Sequence, residues 1–147
     1  MSVVAFRDYR ETDRQACVAI FDKNCPEFFA PNEKDDYLEF LGSIPTGYKV
    51  CLIPSGVVGA FGVFPQDEAS VSLNWILLDP ETQGLGIGTK IMAEVLFAAR
   101  THEAEVIHIA ASHKSAPFFE RFGAFTAQIT EHGWGTDMHR VDMEVRL

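Results

Sequence analysis

Several features that assign proteins to familiar classes are missing from this chain of 147 residues. It has only three cysteines, and none are spaced as a CxxC pair, so no disulfide framework is indicated. Its longest apolar stretches, such as VVGAFGVF, are far too short to span a bilayer. The N-terminus lacks a basic segment followed by an apolar one, and we therefore expect a cytoplasmic protein that does not enter a membrane.

Positive charge is also scarce. Lysine and arginine together number 12 against 21 aspartates and glutamates, which gives a formal net charge of −9. A basic stripe that could hold a phosphate backbone is absent, so we expect no nucleic-acid partner. No pair of histidines has metal-ligand spacing backed by carboxylates, so we expect no metal. An acidic surface favours a cationic partner, such as an amine.

The composition that remains is that of an ordinary folded domain. Hydrophobic residues make up 47% of the chain and charged residues 22%. We expect one domain over residues 1–147, because a chain of this length can bury a sizeable core. Apolar periodicity and turn residues predict the element order β α α β β β α β α β β, which is an α+β arrangement on one mixed sheet.

The stretch QGLGIG lies between the predicted strand SVSLNWILLD and a strongly amphipathic helix that contains TKIMAEVLFAAR. A P-loop is excluded because Thr89 precedes Lys90, and the dinucleotide fingerprint fails because the third glycine comes one residue early. The stretch does fit a turn whose backbone N–H groups lead into a helix N-terminus, which is an anion site without a side-chain cation. The alternative is a tight turn that binds nothing.

The longer segment LLDPETQGLGIGTKIM resembles the acyl-coenzyme A signature of the GNAT N-acetyltransferase superfamily. The core pattern, Gln/Arg-x-x-Gly-x-Gly/Ala, is matched at Gln83, Gly86 and Gly88. SHKSAPFFERFGAF is similar to the family's segment after its fifth strand, and the predicted element order agrees over nearly the whole chain. The resemblance implies a GNAT-type fold: a mixed, mostly antiparallel sheet of about seven strands flanked by about four helices, splayed between strands 4 and 5.

The resemblance further implies that acetyl-CoA is the cosubstrate. Its pyrophosphate would bind the glycine loop, and its pantetheine arm would pair with the backbone of the fourth strand. The residues that this places at the cofactor are Ile76, Leu78, Gln83, Gly84, Leu85, Gly86, Ile87, Gly88, Thr89, Ser112 and Phe119.

The catalytic groups are left open. Phe119 stands where the family commonly has a tyrosine acid, and the fourth strand VSLNWILL contains no carboxylate that could act as a base. The enzyme could rely on positioning and an oxyanion donor, with solvent carrying the protons. Alternatively, Ser115 or His113 could substitute for the missing groups, and His132 is a further candidate base.

The acceptor pocket is expected between NCPEFFAP, with the helix that follows it, and the predicted loop EHGWG. Candidate substrate-binding residues, each of which could equally belong to the core, are Phe28, Phe29, Tyr37, Asn74 and Trp134. The predicted function is acetyl transfer from acetyl-CoA to a primary amine of a small molecule or peptide, by direct attack in a ternary complex. The alternative is a non-catalytic acyl-CoA-binding or sensing domain. A homodimer is possible through the apolar last strands, whereas the acceptor and the acyl-chain preference are not indicated.

Overall fold

The computed structural model describes residues 4–82 and 84–147. The strands are β1 Ala5–Asp8, β2 Tyr48–Ile53, β3 Gly56–Asp67, β4 Ser70–Leu78, β5 Val106–Ser112, β6 Phe125–Gly135 and β7 Met138–Arg146. The α-helices are α1 Arg14–Lys23, α2 Glu33–Gly42, α3 Ile87–Thr101 and α4 Ala116–Glu120. Short 3-10 helices cover Glu11–Asp13 and Pro80–Thr82. Within the described ranges, no helix combines the length and the apolar character needed to cross a bilayer.

All seven strands form one sheet in the order β1-β2-β3-β4-β5-β7-β6. Every neighbouring pair is antiparallel except β4 and β5, which are parallel because α3 connects them as a crossover. The predicted element order and fold class are therefore confirmed.

β4 and β5 separate before either strand ends. Their pairing runs from Ser70 opposite Val106 to Leu73 opposite Ile109 and stops there. β4 continues to Leu78 and β5 to Ser112. The predicted splay is therefore present, and it opens a gap in the middle of the sheet.

β4 carries a β-bulge at the point where the splay begins. Asn74 lies opposite Gly62 and Leu77 opposite Ala60, so two residues of β4 face one residue of β3. Trp75, one of the two, has a positive φ of 50°. The bulge interrupts the alternation of side chains, and Leu73 and Leu77 consequently belong to different core clusters.

The two clusters occupy opposite faces of the sheet. Below α1 and α2, the largest buried side chains are Phe21, Tyr37, Leu41, Tyr48 and Leu77. Below α3 and α4, they include Phe61, Leu73, Ile91, Ile107 and Phe119. Helices therefore cover both faces of the sheet near the splay, α1 and α2 on one face and α3 and α4 on the other.

One local expectation differs from the structure. The predicted loop EHGWG belongs to β6, because β6 continues to Gly135 with a register shift between Thr130 and Gly135.

Asp13 precedes α1 at the N-cap position, and its carboxylate pairs with Arg7 at 2.7 Å instead of capping the helix. A carboxylate that can form a bidentate pair with arginine is satisfied more strongly by that pair than by a helix N–H.

Candidate active site

The gap between β4 and β5 is the floor of a cavity of about 570 Å³. The glycine turn before α3 and the N-terminal part of α4 form its sides. Of the residues predicted to contact the cofactor, those that line it are Ile76, Leu78, Gly84, Gly86, Ile87, Gly88, Thr89, Ser112 and Phe119. Leu85 points elsewhere, with 52% of its surface exposed. Gln83 lies outside the described residues.

The glycine turn has the backbone geometry of an anion site. Gly84 and Gly86 have φ values of 89° and 71°, in the left-handed region that glycine adopts without steric cost. The first hydrogen bond of α3 runs from the Lys90 N–H to the Gly86 carbonyl at 3.1 Å. The N–H groups of residues 87–89 therefore belong to the first helical turn, where N–H groups have no partner within the helix. A Cβ at Gly84 or Gly86 would meet nothing within 4 Å, which leaves room for a ligand.

Gly88 has a different role. A Cβ there would lie 2.8 Å from the ring of Phe118, which is tighter than real contacts allow. Phe118 also lines the cavity and packs edge-on against Phe119, with ring centroids 5.1 Å apart. Gly88 therefore lets α3 and α4 approach each other beside the cavity. Phe118 was not among the predicted site residues, since nothing in FFERFG distinguishes its two phenylalanines by role.

The exposed edge of β4 is partly occupied already. Asn24 Nδ2 donates to the Leu78 carbonyl at 2.9 Å and to the Ile20 carbonyl at 2.8 Å. This buried amide joins the end of α1 to the end of β4 and satisfies one carbonyl of that edge. Ile76, in contrast, has no pairing partner in either β3 or β5 among the described residues.

Ser112 and Ser115 bind each other where β5 leads into α4. The two hydroxyls lie 3.1 Å apart, the Ser112 N–H donates to Ser115 Oγ at 3.0 Å, and the Ser115 N–H donates to Ser112 Oγ at 3.1 Å. Both residues line the cavity. Their hydroxyls are engaged in the turn, so Ser115 would have to give up these bonds to act as a proton donor.

The opposite end of the cavity is aromatic. Phe28, Phe29, Asn74 and Trp134 line it, as predicted for substrate-binding residues, whereas Tyr37 does not. Tyr37 is fully buried beneath the cavity and stacks on Phe21 at 5.6 Å.

β6 closes this end of the cavity. The Trp134 indole N–H donates to the Ala111 carbonyl at 2.8 Å, and Asn32 Nδ2 donates to the Trp134 carbonyl at 2.8 Å. The segments that contain NCPEFFAP and EHGWG therefore meet.

Glu33, which was not among the predicted site residues, also lies at this end of the cavity. It lines the cavity, yet only 5% of the residue is exposed. Oε2 accepts a hydrogen bond from Ala30 N–H at 2.7 Å, and Oε1 accepts none from a described residue. Burial raises the pKa of Glu33 to about 7, an effect that the Ala30 N–H partly opposes.

A signal for Glu33 was present in the sequence but was not specific. Its place after Asn32 and Pro31 marks the first turn of a helix, where acidic residues are common because of the helix dipole. Nothing in the local pattern shows that the turn lies against the splayed strands, because that contact depends on how α2 packs on the sheet.

The candidate histidines lie outside the cavity lining. His113 and His132 contact the backbone of the β6–β7 hairpin through their Nδ1 atoms. Among the described residues, no group of three or more His, Cys, Asp or Glu is placed to hold a metal ion.

Comparison with solved structures shows the same fold in several other proteins. Ard1 from Thermoplasma volcanium has a TM-score of 0.82 at 13% identity, over 98% of this chain and 97% of that one. The ribosomal-protein-S18-alanine N-acetyltransferase from Escherichia coli has a TM-score of 0.78 at 12% identity, over 98% and 94%. YncA from Salmonella typhimurium, solved with its cofactor acetyl-CoA, has a TM-score of 0.73 at 15% identity, over 99% and 95%.

Sequence comparison assigns the family. No curated protein matched the chain. The family model described as acetyltransferase (GNAT) family matches residues 15–124, a span that begins at the second residue of α1 and includes α2, α3, α4 and the glycine turn. This chain therefore belongs to the GNAT family of acetyltransferases.

Proposed function

We propose that this chain, as a single GNAT domain, transfers an acetyl group from acetyl-CoA to a primary amine of a small molecule or peptide. The amine attacks directly while both substrates are bound. The observation that carries the proposal is a continuous cavity at the splay, which joins the glycine turn to an aromatic end containing a buried carboxylate. Donor and acceptor sites that share one cavity need no acyl-enzyme intermediate.

The cavity is suited to acetyl-CoA. The N–H groups of Ile87, Gly88 and Thr89 would hold the pyrophosphate, assisted by the positive end of the α3 dipole. The unpaired edge of β4 would accept the pantetheine arm as an added strand, with Ile76 providing backbone groups. When bound, acetyl-CoA supplies a thioester carbonyl as the acyl donor. YncA, which shares the fold, was solved with this molecule, which supports the assignment.

The bulge in β4 suggests the oxyanion donor. Ile76 lies within the bulge and has no register partner in β3 or β5 among the described residues, and its N–H is the donor that we propose for the developing oxyanion. A backbone donor fixed by the sheet stabilises developing negative charge without having to reorganise. This role requires no particular side chain, in agreement with the absence of acidic residues from β4.

Glu33 is the group best placed to take the proton of the amine. An amine must be neutral to attack, and a carboxylate with a pKa of about 7 is half ionised near physiological pH. Its Oε1 is free to accept a proton, and the aromatic side chains beside it limit access of water. No counterpart acid is needed at Phe119, because a thiolate leaves with little assistance near neutral pH.

Calorimetry with acetyl-CoA tests the cofactor proposal first. We expect saturable binding, and no heat at millimolar acetyl-CoA would overturn it. A thiol-release assay over a panel of small primary amines and peptides with free N-termini tests transfer. We expect at least one amine to raise release above background hydrolysis.

A second candidate function is a non-catalytic acyl-CoA-binding or sensing domain, and the phenylalanine at position 119 is the observation that favours it. Its ring offers no proton at the position where the family commonly has a tyrosine hydroxyl. Tight acetyl-CoA binding without release for any amine would support this candidate and exclude the enzyme.

A further inference from the structure

Three histidines from distant parts of the chain form a continuous row beside the acceptor end of the cavity. His113 follows β5, His132 lies in β6 and His139 in β7. The ring centroids of His113 and His139 are 4.6 Å apart, and those of His132 and His139 are 5.0 Å apart. We refer to these residues as the histidine row.

Each ring in the row accepts a hydrogen bond from a backbone amide. His139 N–H donates to His113 Nδ1 at 3.1 Å, His132 N–H donates to His139 Nδ1 at 2.9 Å, and Asp137 N–H donates to His132 Nδ1 at 2.8 Å. A backbone amide can only donate, so all three Nδ1 atoms must be unprotonated. An imidazolium carries a proton on both nitrogens and could make none of these bonds.

These bonds replace strand pairing that is missing. The register of β6 and β7 shifts between Thr130 and Gly135, and His132 has a positive φ of 53°. The histidine row supplies acceptors where the ladder is interrupted. It therefore holds the irregular part of the hairpin in place.

The segment held in this way carries Trp134. The Trp134 side chain reaches from the hairpin to β5, where its indole N–H donates to the Ala111 carbonyl. The backbone carbonyl of Trp134 accepts a hydrogen bond from the side chain of Asn32, just before α2. Trp134 thus connects three elements around the acceptor end.

We propose that the histidine row is a pH-sensitive clamp, which positions Trp134 over the acceptor end when neutral and releases it when protonated. The position of the acceptor end rests on the proposed function, whereas the clamp itself does not. Imidazole is the side chain whose charge ordinarily changes between about pH 5 and 8. Protonation removes the acceptor for one backbone amide per ring, and two charged rings about 5 Å apart would repel each other.

Charged residues of both signs neighbour the histidine row in sequence, and among the described residues none of them forms an ion pair with it. Lys114 follows His113, Glu131 and Asp137 flank His132 on the hairpin, and Arg140 follows His139. Arg140 is paired with Asp142 at 2.9 Å. On α2, the acidic residue next to Asn32 is Glu33, which is buried. Within the described part of the chain no carboxylate forms an ion pair with the row, whereas His108 does pair with Glu144 at 3.7 Å.

Amide hydrogen exchange measured by NMR on the intact chain tests the clamp directly. The probes are the backbone amides of His132, Asp137 and His139 and the indole N–H of Trp134. We expect protection at pH 7.5 that falls about fivefold or more by pH 5.5, after correction for intrinsic exchange, which corresponds to the loss of one ordinary hydrogen bond. Amides in the middle of β3 serve as the internal reference.

Asparagine variants separate titration from structure. The Oδ1 atom of asparagine can accept the same backbone N–H as Nδ1 but does not titrate. His132→Asn should therefore keep protection of the Asp137 amide at pH 5.5, and His139→Asn should keep that of the residue-132 amide. His139→Leu should lose protection of the residue-132 amide at both pH values. All three should bind acetyl-CoA with wild-type affinity, because the row lies away from the glycine turn.

The clamp would be overturned if wild-type protection persisted at pH 5.5, or if the asparagine variants lost protection as the wild type does. These measurements require no substrate. A negative acetyl-transfer assay would therefore not contradict the clamp. Protection that persisted at pH 5.5 in an active enzyme would refute the clamp alone.

Discussion

The buried hydroxyl of Tyr48 donates a hydrogen bond to the backbone carbonyl of Trp75 at 2.7 Å. Tyr48 lies in β2 and is fully buried, and its oxygen is also 2.9 Å from the hydroxyl of Tyr37. Burial raises the pKa of Tyr48 well above its usual value, so the hydroxyl remains protonated and able to donate. The bond satisfies a carbonyl that the bulge removes from the ladder, and thereby fixes the bulge that contains Ile76.

Tyr48→Phe should destabilise the protein by about 1–3 kcal/mol, because a buried carbonyl loses its partner. Turnover should fall as well if the bulge positions the oxyanion donor, and the KM for acetyl-CoA should change less than kcat. Urea unfolding gives the first quantity and thiol release the second. Tyr9→Phe is the matched control, since the Tyr9 hydroxyl is buried and has no partner among the described residues. That variant should be neutral or slightly stabilised, and equal losses in both variants would contradict the role of Tyr48.

The glycine turn predicts a difference between two substitutions at Gly86. The left-handed φ of 71° is tolerated by asparagine and aspartate better than by most residues, so Gly86→Asn and Gly86→Asp impose similar backbone strain. Only aspartate adds negative charge to the anion site. Calorimetry should show acetyl-CoA binding at least about tenfold weaker for Gly86→Asp than for Gly86→Asn, equivalent to about 1.4 kcal/mol. Equal affinities would show that the turn does not hold the pyrophosphate.

The fold was predictable because its signals are local. Residues Ile87, Ile91, Val95 and Ala99 recur at helical spacing, and all four are buried in α3. SVSLNWILLD was predicted as a strand and forms β4 over Ser70–Leu78. The extent of β6 was not predictable, because EHGWG has the composition of a loop, and its irregular pairing with β7 is supported by side-chain bonds from His132 and His139 that composition does not reveal.

The part of the candidate site that could be predicted from the sequence is the glycine turn, where backbone groups rather than side chains would bind the ligand. Gly86 and Gly88 are marked by their residue type, since few other residues fit a positive φ or a close helix approach. Tyr37, a candidate for either the pocket or the core, is buried beneath the cavity, whereas Glu33, which was not a predicted site residue, is buried at the cavity itself. Which side of a short helix faces a cleft depends on tertiary packing, and local sequence does not encode that choice.

Phe119→Tyr tests whether the missing hydroxyl limits the reaction. Phe119 lines the cavity and is 3% exposed, so a tyrosine there places its hydroxyl either in the cavity or against the core. We expect kcat to be unchanged or raised, because thiolate departure needs little acid near neutral pH. Thiol release at saturating acetyl-CoA measures kcat, and the free energy of unfolding in urea shows whether the added hydroxyl disturbs packing. A large loss of kcat at unchanged stability would show that Phe119 contacts the cofactor or the acceptor directly.

Glu33→Gln should remove the proposed base while keeping the shape and the bond from Ala30. We expect kcat/KM to fall by about 10²–10⁴-fold, the usual contribution of general base catalysis, and the limb of the pH profile near 7 to disappear. Glu27→Gln, at an exposed position in the same segment, is the control and should leave the profile unchanged. If Glu33→Gln kept both the rate and the limb, another group would be the base.

Stability provides an independent check on Glu33, with a defined sign. A carboxyl whose pKa rises from 4.5 to about 7 on folding stabilises the native state in its protonated form. That contribution is present below pH 4.5 and is lost as the pH rises through 7, because the unfolded chain then binds fewer protons than the native protein. Relative to the wild type, Glu33→Gln should therefore gain stability between pH 4.5 and 7, by up to about 3 kcal/mol. A difference that stayed constant across this range in urea unfolding would show that Glu33 does not titrate as a buried carboxyl.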